Sequence, residues 1–579
     1  MTVATLCFVA AFAFRMPFAD EWDWLPQTVG KEPVTLHWLW AQHNEHRMFL
    51  PRLIYMGLAA ASGADFRAGT FFSVALLSVL SAACMLTARA LRGRTSLYDA
   101  FFPLLFLHWA QVTNLIWGFQ LIFILAVAAI GASLLVIVRT GQQVSLRSAA
   151  SLAGLLLAGG LCGAFALPYL LTLAVWLGLA GAMRWSRGGP HARLSGLSAV
   201  ALGAALVGFL GFYYVGFVKP GYHPPPESLL AALRTSLEFL AMGLGPGGKE
   251  IWPASGLLMV AGCGWSAWQL ANVARRRPEA RVAATGLAAF LVATLLLVAG
   301  LGWGRAFLGP NGGFQDRYIT LIAPLLCLFY LQALCFGTPN ASRRVTGILF
   351  FLICALTVVN MRKGLNYASD LWGPLVRIEQ DMRAGIPPEA LAVRYGDSLA
   401  FGPNELFAHR LGVLRDARLG PYRNLPPDAA LRAVQVVPLV DLARGGQLPQ
   451  PVILTAGQEI CEAFHLTGGG TLVRIDVAVG RWDRRFCGDR LDWALREPSP
   501  AGSVVTLASG QIDLHGVRDD FATLEFPPIA VGAARRLELV LTVPADAPPG
   551  KGVRVPLFKS PGAAEAQGRH TRAFAFIAR

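Results

Sequence analysis

Apolar residues are distributed along this chain in two textures, and the change of texture divides it. Up to about residue 361 they form long unbroken runs, whereas beyond about residue 451 they alternate with polar residues. A helix rises 1.5 Å per residue, so about 20 apolar residues cross the roughly 30 Å hydrocarbon layer of a bilayer. Eleven runs approach or meet that length: 1–18, 68–88, 97–113, 115–138, 148–163, 165–182, 195–218, 253–273, 283–302, 318–336 and 345–361. The stretches 471–479, 503–507 and 536–543 instead have the period of two that belongs to strands with one buried face, separated by Gly/Pro turns. The expected architecture is therefore an α-helical polytopic membrane domain over 1–361, a mixed connecting subdomain over 362–450, and an antiparallel β-sandwich over 451–579.

Composition agrees with this division. Of 579 residues, 54% are hydrophobic and 15% charged, which excludes a single soluble globule. The first 361 residues hold 12 acidic and 24 basic residues, and the remaining 218 hold 23 and 26. The second part has the near-balance of a soluble domain, so the net charge of +15 resides mainly in the first and argues for a membrane rather than for nucleic acid.

Lys/Arg flanks are retained on the cytoplasmic side of a membrane. Five loops carry 14 of the 24 basic residues: Arg89, Arg92 and Arg94; Arg139 and Arg147; Arg184, Arg187 and Arg193; Arg275, Arg276, Arg277 and Arg281; Arg343 and Arg344. All five fall on one side if the segment 229–244 does not span. Arg234 and Glu238 in its middle, with Pro224, Pro225, Pro226, Pro246 and Gly247 around it, mark it as an interfacial or re-entrant helix. The C-terminal domain is then extracytoplasmic. The first run lacks a basic n-region and a small-residue cleavage site, which favours an anchor over its rival, a signal peptide. Seven of nine cysteines lie in or beside apolar runs, leaving Cys461 and Cys487 as a pair whose disulfide state the sequence leaves open.

The chemistry concentrates between the first two runs, in a loop over 19–67. Five of the 12 acids fall within 26 residues, Asp20, Glu21, Asp23, Glu32 and Glu45, together with His37, His43, His46, Arg47, Arg52 and four tryptophans. Carboxylates beside a bilayer are costly unless solvated, paired or used. A solvated loop anchored by Trp is the plain reading of the composition. The order of residues suggests more: Asp20-Glu21 emerges where the first helix meets the outer surface, and His43-Asn44-Glu45-His46-Arg47 follows with Arg52. Proton acceptors beside cations suit transfer from a phosphate-linked donor, in which a carboxylate deprotonates a hydroxyl and basic groups hold the departing phosphate.

These residues, with the multispan bundle and the outward C-terminal domain, resemble polytopic glycosyltransferases of the GT-C class, specifically the bacterial relatives of protein O-mannosyltransferases and lipid A aminoarabinose transferases. The resemblance covers roughly 1–361. It implies a bacterial inner membrane protein with a periplasmic C-terminal domain, a polyprenyl-phosphate-linked sugar as donor, and a glycan or lipid as acceptor. Carried over, Asp20 is the general base and Glu21 orients it, with Glu45 as the alternative base. In relatives the second element reads as a His-Pro-Pro type sequence, so His43, Asn44, His46, Arg47 and Arg52 match as substrate-binding residues by position and polarity. Gln315-Asp316-Arg317-Tyr318 with Pro324 resembles the Arg-Tyr opening of a late span, giving Arg317 and Tyr318 a place at the lipid phosphate. An interfacial anchor paired with Asp316 is the alternative role for Arg317.

Trp117 and Gln120 are candidates to line the sugar pocket, and Trp482 and Trp493 to stack on acceptor sugars, though each tryptophan serves equally as packing. A divalent cation would find hard ligands in Asp20, Glu21 and His43, but the residues commit to no cofactor. A transporter, flippase or non-catalytic assembly partner for lipid-linked sugars is the rival class. It calls for broken helices or charges near mid-membrane, and no confident run carries an acid at its centre.

Overall fold

The computed structural model describes residues 1–140, 142–187, 189–400, 402–438, 452–465, 470–479, 490–498, 503–514, 521–531, 536–546, 552–555 and 573–578. Two compact units emerge. One comprises 1–14 and 33–368, and the other comprises 15–32 and 369–579.

The first unit is helical. Among the described residues, seven helical stretches are long and apolar enough to cross a membrane: Ala68–Arg92, Gly118–Arg139, Ala164–Ser186, His191–Tyr213, Pro278–Leu308, Tyr318–Phe336 and Pro339–Arg383, the last of which runs on past the unit boundary. Between apolar helices little hydrophobic force remains, and close backbone approach takes its place. Helices Leu167–Arg187 and Pro190–Tyr213 show this. A Cβ on Gly181 would lie 2.7 Å from the carbonyl oxygen of Gly196, and one on Gly203 would lie 2.7 Å from that of Ala174.

Three elements depart from the apolar-run pattern. The first helix, Thr2–Phe12, ends well short of residue 18, because Ala13 turns extended and the Phe14 N–H donates to the Ile116 carbonyl at 2.9 Å. The run 97–113 is broken. Helix Phe101–Phe106 stops where the Gln111 amide donates to the Phe106 carbonyl, a side chain replacing the next helical N–H, and the chain resumes as Val112–Ile116. Helix Pro339–Arg383 continues through Met361 for 45 residues. Helix Leu229–Ala241 has 13 residues, about 20 Å, too short to span a bilayer.

The second unit holds a C-terminal β-sheet region, the end of the long helix Pro339–Arg383, the short helix Leu25–Thr28, and the helices Pro388–Leu399 and Asn404–Ala417. One four-stranded sheet has the order 459–465, 536–542, 490–498, 504–513, and the other 434–438, 573–578, 470–478, 521–531. Each pairing is antiparallel. Period-two positions Leu537, Leu539 and Leu541 from one sheet and Ile475, Val477 and Leu524 from the other share one apolar cluster. Trp493 belongs to that cluster and is 7% exposed, which removes it as a stacking platform; Trp482 and Cys487 lie outside the described residues.

Buried charges tie the helices of this unit to its strands. Asp476 accepts from Arg394 at 2.8 Å and from Arg474 at 2.7 Å, and Arg474 also reaches Asp381 at 2.7 Å, which accepts from Tyr395 at 2.7 Å. Burial alone would raise the Asp476 pKa, but Arg394 and Arg474 outweigh it and hold the carboxyl at about 2, below its ordinary 3.8. A depressed carboxyl contributes stability above its unfolded pKa and loses it as pH falls. The thermal midpoint of this unit in the full-length protein should therefore fall between about pH 4 and pH 2. Asp476→Asn, which leaves two buried guanidiniums short of a charge, should cost about 3–5 kcal/mol at neutral pH. Scanning calorimetry of wild type and variant checks both.

Candidate functional site

In the second unit the acidic turn Ala19–Asp23 begins on Ala19, whose φ of 49° places a non-glycine residue in the left-handed region. Neighbouring contacts hold it there. Glu21 is buried and accepts from the Phe18 N–H at 3.1 Å, capping the turn. The buried Trp22 indole donates to the Leu399 carbonyl at 3.1 Å and meets the Phe407 ring edge-on, 5.0 Å between centroids. Asp23 pairs with Arg410, and the Tyr422 hydroxyl donates to the Arg15 carbonyl at 2.9 Å. Asp20 stays half-buried, with a carboxylate oxygen within 4.8 Å of one on Asp23. Of the acids expected to act on substrate or metal, Glu21 is thus turned inward to a capping task, and within this unit the adjacent hard ligands are Asp20 and Asp23.

In the first unit the second expected element is a hairpin. Gln42–His43 pairs with His46–Arg47 around a two-residue turn, and Asn44 takes the left-handed conformation, φ 50°, which its side chain tolerates. The segment after helix Pro190–Tyr213 grips this hairpin: the Val218 N–H donates to Gln42 at 3.0 Å, and Tyr222 bonds to Asn44. Glu45 at the tip pairs with His223 and with Arg305, whose Nη1 lies 3.2 Å away. Burial pushes the Glu45 carboxyl up, but the charges of Arg305, His46 and His223 prevail and hold it below its ordinary value. The Tyr318 side chain lies close enough to Arg305 to act on its charge.

Other expected residues have structural tasks. Arg47, 6% exposed, donates to the carbonyls of Tyr213, Val215 and Trp40 at 2.8, 2.7 and 3.1 Å and lies over the Trp40 ring. Arg52 is buried, donates to the Trp38 and Ala41 carbonyls and stacks on Trp38. Both guanidiniums fold the loop instead of facing a phosphate. His46 accepts from the Ala164 N–H at 3.2 Å and packs on Phe165, while the His43 ring faces Phe119. Trp117 stacks on Phe119, 5.3 Å between centroids, and Gln120 is buried with its Oε1 unpartnered among the described residues.

Asp316, Arg317 and Tyr318 sit in a polar seam. Asp316 accepts from the Thr113 N–H and hydroxyl, both at 2.7 Å, and the Asn114 amide donates to the Arg317 carbonyl at 3.0 Å and to Thr320 at 2.7 Å. Arg317 lies over the Tyr318 ring at 5.5 Å. The loop leading in is held by Glu238, fully buried, which takes Arg234 at 2.9 Å and the N–H groups of Asn311 and Gly313 at 3.2 and 3.1 Å.

The structure thus gathers Glu45, His223, Arg305 and Tyr318 in the first unit and organises Asp20 in the second. The sequence reading missed His223 and Arg305. Their signal was slight: a histidine between Pro220 and Pro224, and an arginine just past the C-terminal end of an apolar run. Glu238→Ala should release the loop 309–317, raising amide exchange at Asn311 and Gly313 about tenfold or more, as hydrogen–deuterium exchange would report. Comparison with models of known protein families finds no match to this chain, and comparison with curated proteins finds none either.

Proposed function

We propose that the chain is a membrane glycosyltransferase of the GT-C class that moves a sugar from a polyprenyl-phosphate carrier to an extracytoplasmic acceptor glycan or lipid. The reading takes the first unit as a multispan helical bundle in a bacterial inner membrane and the C-terminal strands as a periplasmic β-sandwich that positions the acceptor. The observation that carries it is the acidic turn Ala19–Asp23, in which capping, indole and ion-pair contacts hold Glu21, Trp22 and Asp23 around a half-buried carboxylate, Asp20, that follows the left-handed Ala19. Preorganisation of this kind is what a general base requires. Asp20 takes the proton of the acceptor hydroxyl, the acceptor oxygen attacks the anomeric carbon in line, and the carbon–oxygen bond to phosphate breaks with its electron pair going to the lipid phosphate. Arg317 supplies N–H donors to that leaving group. Glu45, already neutralised by Arg305 and His223, is less suited to the base than its position in the sequence suggested.

A second reading, transport of a lipid-linked sugar, draws support from the broken helix before Val112 and its buried His108, Gln111 and Asn114. Transfer of labelled sugar from a synthetic polyprenyl-phosphate donor by purified protein separates the two, since a transporter leaves the glycosidic bond intact. Asp20→Asn should lower transfer by at least about 100-fold with membrane insertion unchanged, whereas Glu21→Gln should act mainly on thermal stability. Undiminished turnover in Asp20→Asn rejects the assignment.

A further inference from the structure

In the first unit the chain between helices Pro190–Tyr213 and Leu229–Ala241, residues 214–228, holds no helix or strand. Connections inside a compact unit mostly run about 4–6 residues, and a longer one without structure of its own is commonly a binding or covering loop. This one lies along the hairpin 42–47 and is gripped unevenly. Its start is fixed. The hydroxyl of the buried Tyr213 accepts from the Arg47 N–H at 2.8 Å, and the Arg47 guanidinium holds the Tyr213 and Val215 carbonyls at 2.8 and 2.7 Å. Its end is stiff, since Pro224, Pro225 and Pro226 lead to Ser228, which caps the next helix by accepting from the Ala231 N–H at 3.1 Å.

Between those ends the contacts to the hairpin are polar. The Val218 N–H donates to Gln42 at 3.0 Å, and the Gln42 amide donates back to the Val218 carbonyl. Tyr222 bonds to Asn44, and His223 bonds to Glu45 with both ring nitrogens 3.3 Å from Nη1 of Arg305. The Val218 and Tyr222 side chains are 72% and 64% exposed, so apolar burial adds little there. Water replaces bonds of this kind when they part, which keeps their net contribution small.

Two features make such an opening reversible. Gly216, next to the fixed start, has a φ of 69°, a conformation that glycine enters and leaves freely, and nothing lies within 4 Å of where its Cβ would stand. Glu45 also keeps a second partner. Arg305, 3.2 Å away, ends helix Arg281–Arg305 and stays behind when His223 departs, so the carboxylate is never left without a cation.

We propose that residues 217–223 form a strap hinged at Gly216, which His223 latches shut on Glu45 with Arg305 as the stationary counter-charge. Closed, the strap covers the tip of the hairpin. Open, it exposes Glu45 and Arg305 together, and so governs access to that charged pair. The latch rests on contacts within the first unit and not on the transferase reading.

Hydrogen–deuterium exchange of the full-length protein in neutral detergent tests the device, with the Val218 amide as reporter of the closed state. Amides of 217–223 should exchange at least about tenfold faster than those in the middle of helix Pro190–Tyr213. His223→Ala should raise their exchange by about fivefold or more, with helix Arg281–Arg305 and the Arg47 amide unchanged. His223→Asn, whose amide nitrogen stands near the place of Nδ1, should restore most of the protection, a rescue that loss of packing would not allow. Glu45→Gln should open the strap as His223→Ala does, and the double variant should open it no further than either single change, because both remove one contact. Gly216→Ala, which strains the closed hinge, should open it too. Strap amides as slow as those of the helix, exchange unchanged in His223→Ala, additive effects of the two latch variants, or opening that spreads into helix Arg281–Arg305 overturns the proposal. Asp20→Asn should abolish transfer and leave the exchange of the strap unchanged, so the latch and the transferase reading fail separately.

Discussion

A carboxylate packed among apolar helices must be answered by a cation or by hydrogen-bond donors, and the helical unit, 1–14 and 33–368, is arranged around that requirement. Glu45 is met by Arg305 and His223, Glu238 by Arg234 and two loop amides, Asp316 by Thr113, and Asp99 by Arg92 and Tyr330. Each answer joins residues distant in sequence. Glu238 holds the loop that carries Asp316, Asp316 holds the broken segment at Thr113, and Arg305 reaches both the hairpin tip and Tyr318. Because an unanswered buried charge costs several kcal/mol, these contacts fix the loops more firmly than apolar packing alone could.

The same requirement separates residues that hold the structure from those left to act. Arg47 and Arg52 look from the sequence like phosphate ligands, since they follow histidines in an outer loop. Their guanidiniums instead satisfy main-chain carbonyls, the use expected where a non-helical loop must leave no acceptor unpaired.

Long apolar runs and period-two alternation were legible because each depends only on near neighbours: an uninterrupted run makes a helix, and alternation puts Leu537, Leu539 and Leu541 on one face. The break after Phe106 was not legible, since the Gln111 amide that ends the helix looks in sequence like any polar residue at the margin of a run. The membership of 15–32 in the second unit was hidden for a different reason. Its partners Leu399, Phe407, Arg410 and Tyr422 lie almost 400 positions away, and nothing in Trp22 or Asp23 announces them. His223 escaped likewise, because its pairing with Glu45 spans 178 positions.

Two left-handed non-glycine residues mark the two elements that the sequence singled out, Ala19 before the acidic turn and Asn44 in the hairpin. They are not equivalent. Asn reaches this conformation at little cost, so Asn44 follows from turn chemistry alone. Alanine has no side-chain group to compensate, and its strain, on the order of 1–3 kcal/mol, persists only where surrounding contacts over-determine the backbone. Around Ala19 those contacts are identifiable: the Phe18 N–H fixed by Glu21, the Trp22 indole fixed by Leu399, and Asp23 fixed by Arg410. Glycine would relax the backbone but would widen the unfolded ensemble and loosen the approach to Asp20. A carboxylate whose position is set at both flanks, with strain held rather than relieved, has the placement that the proposed proton transfer calls for.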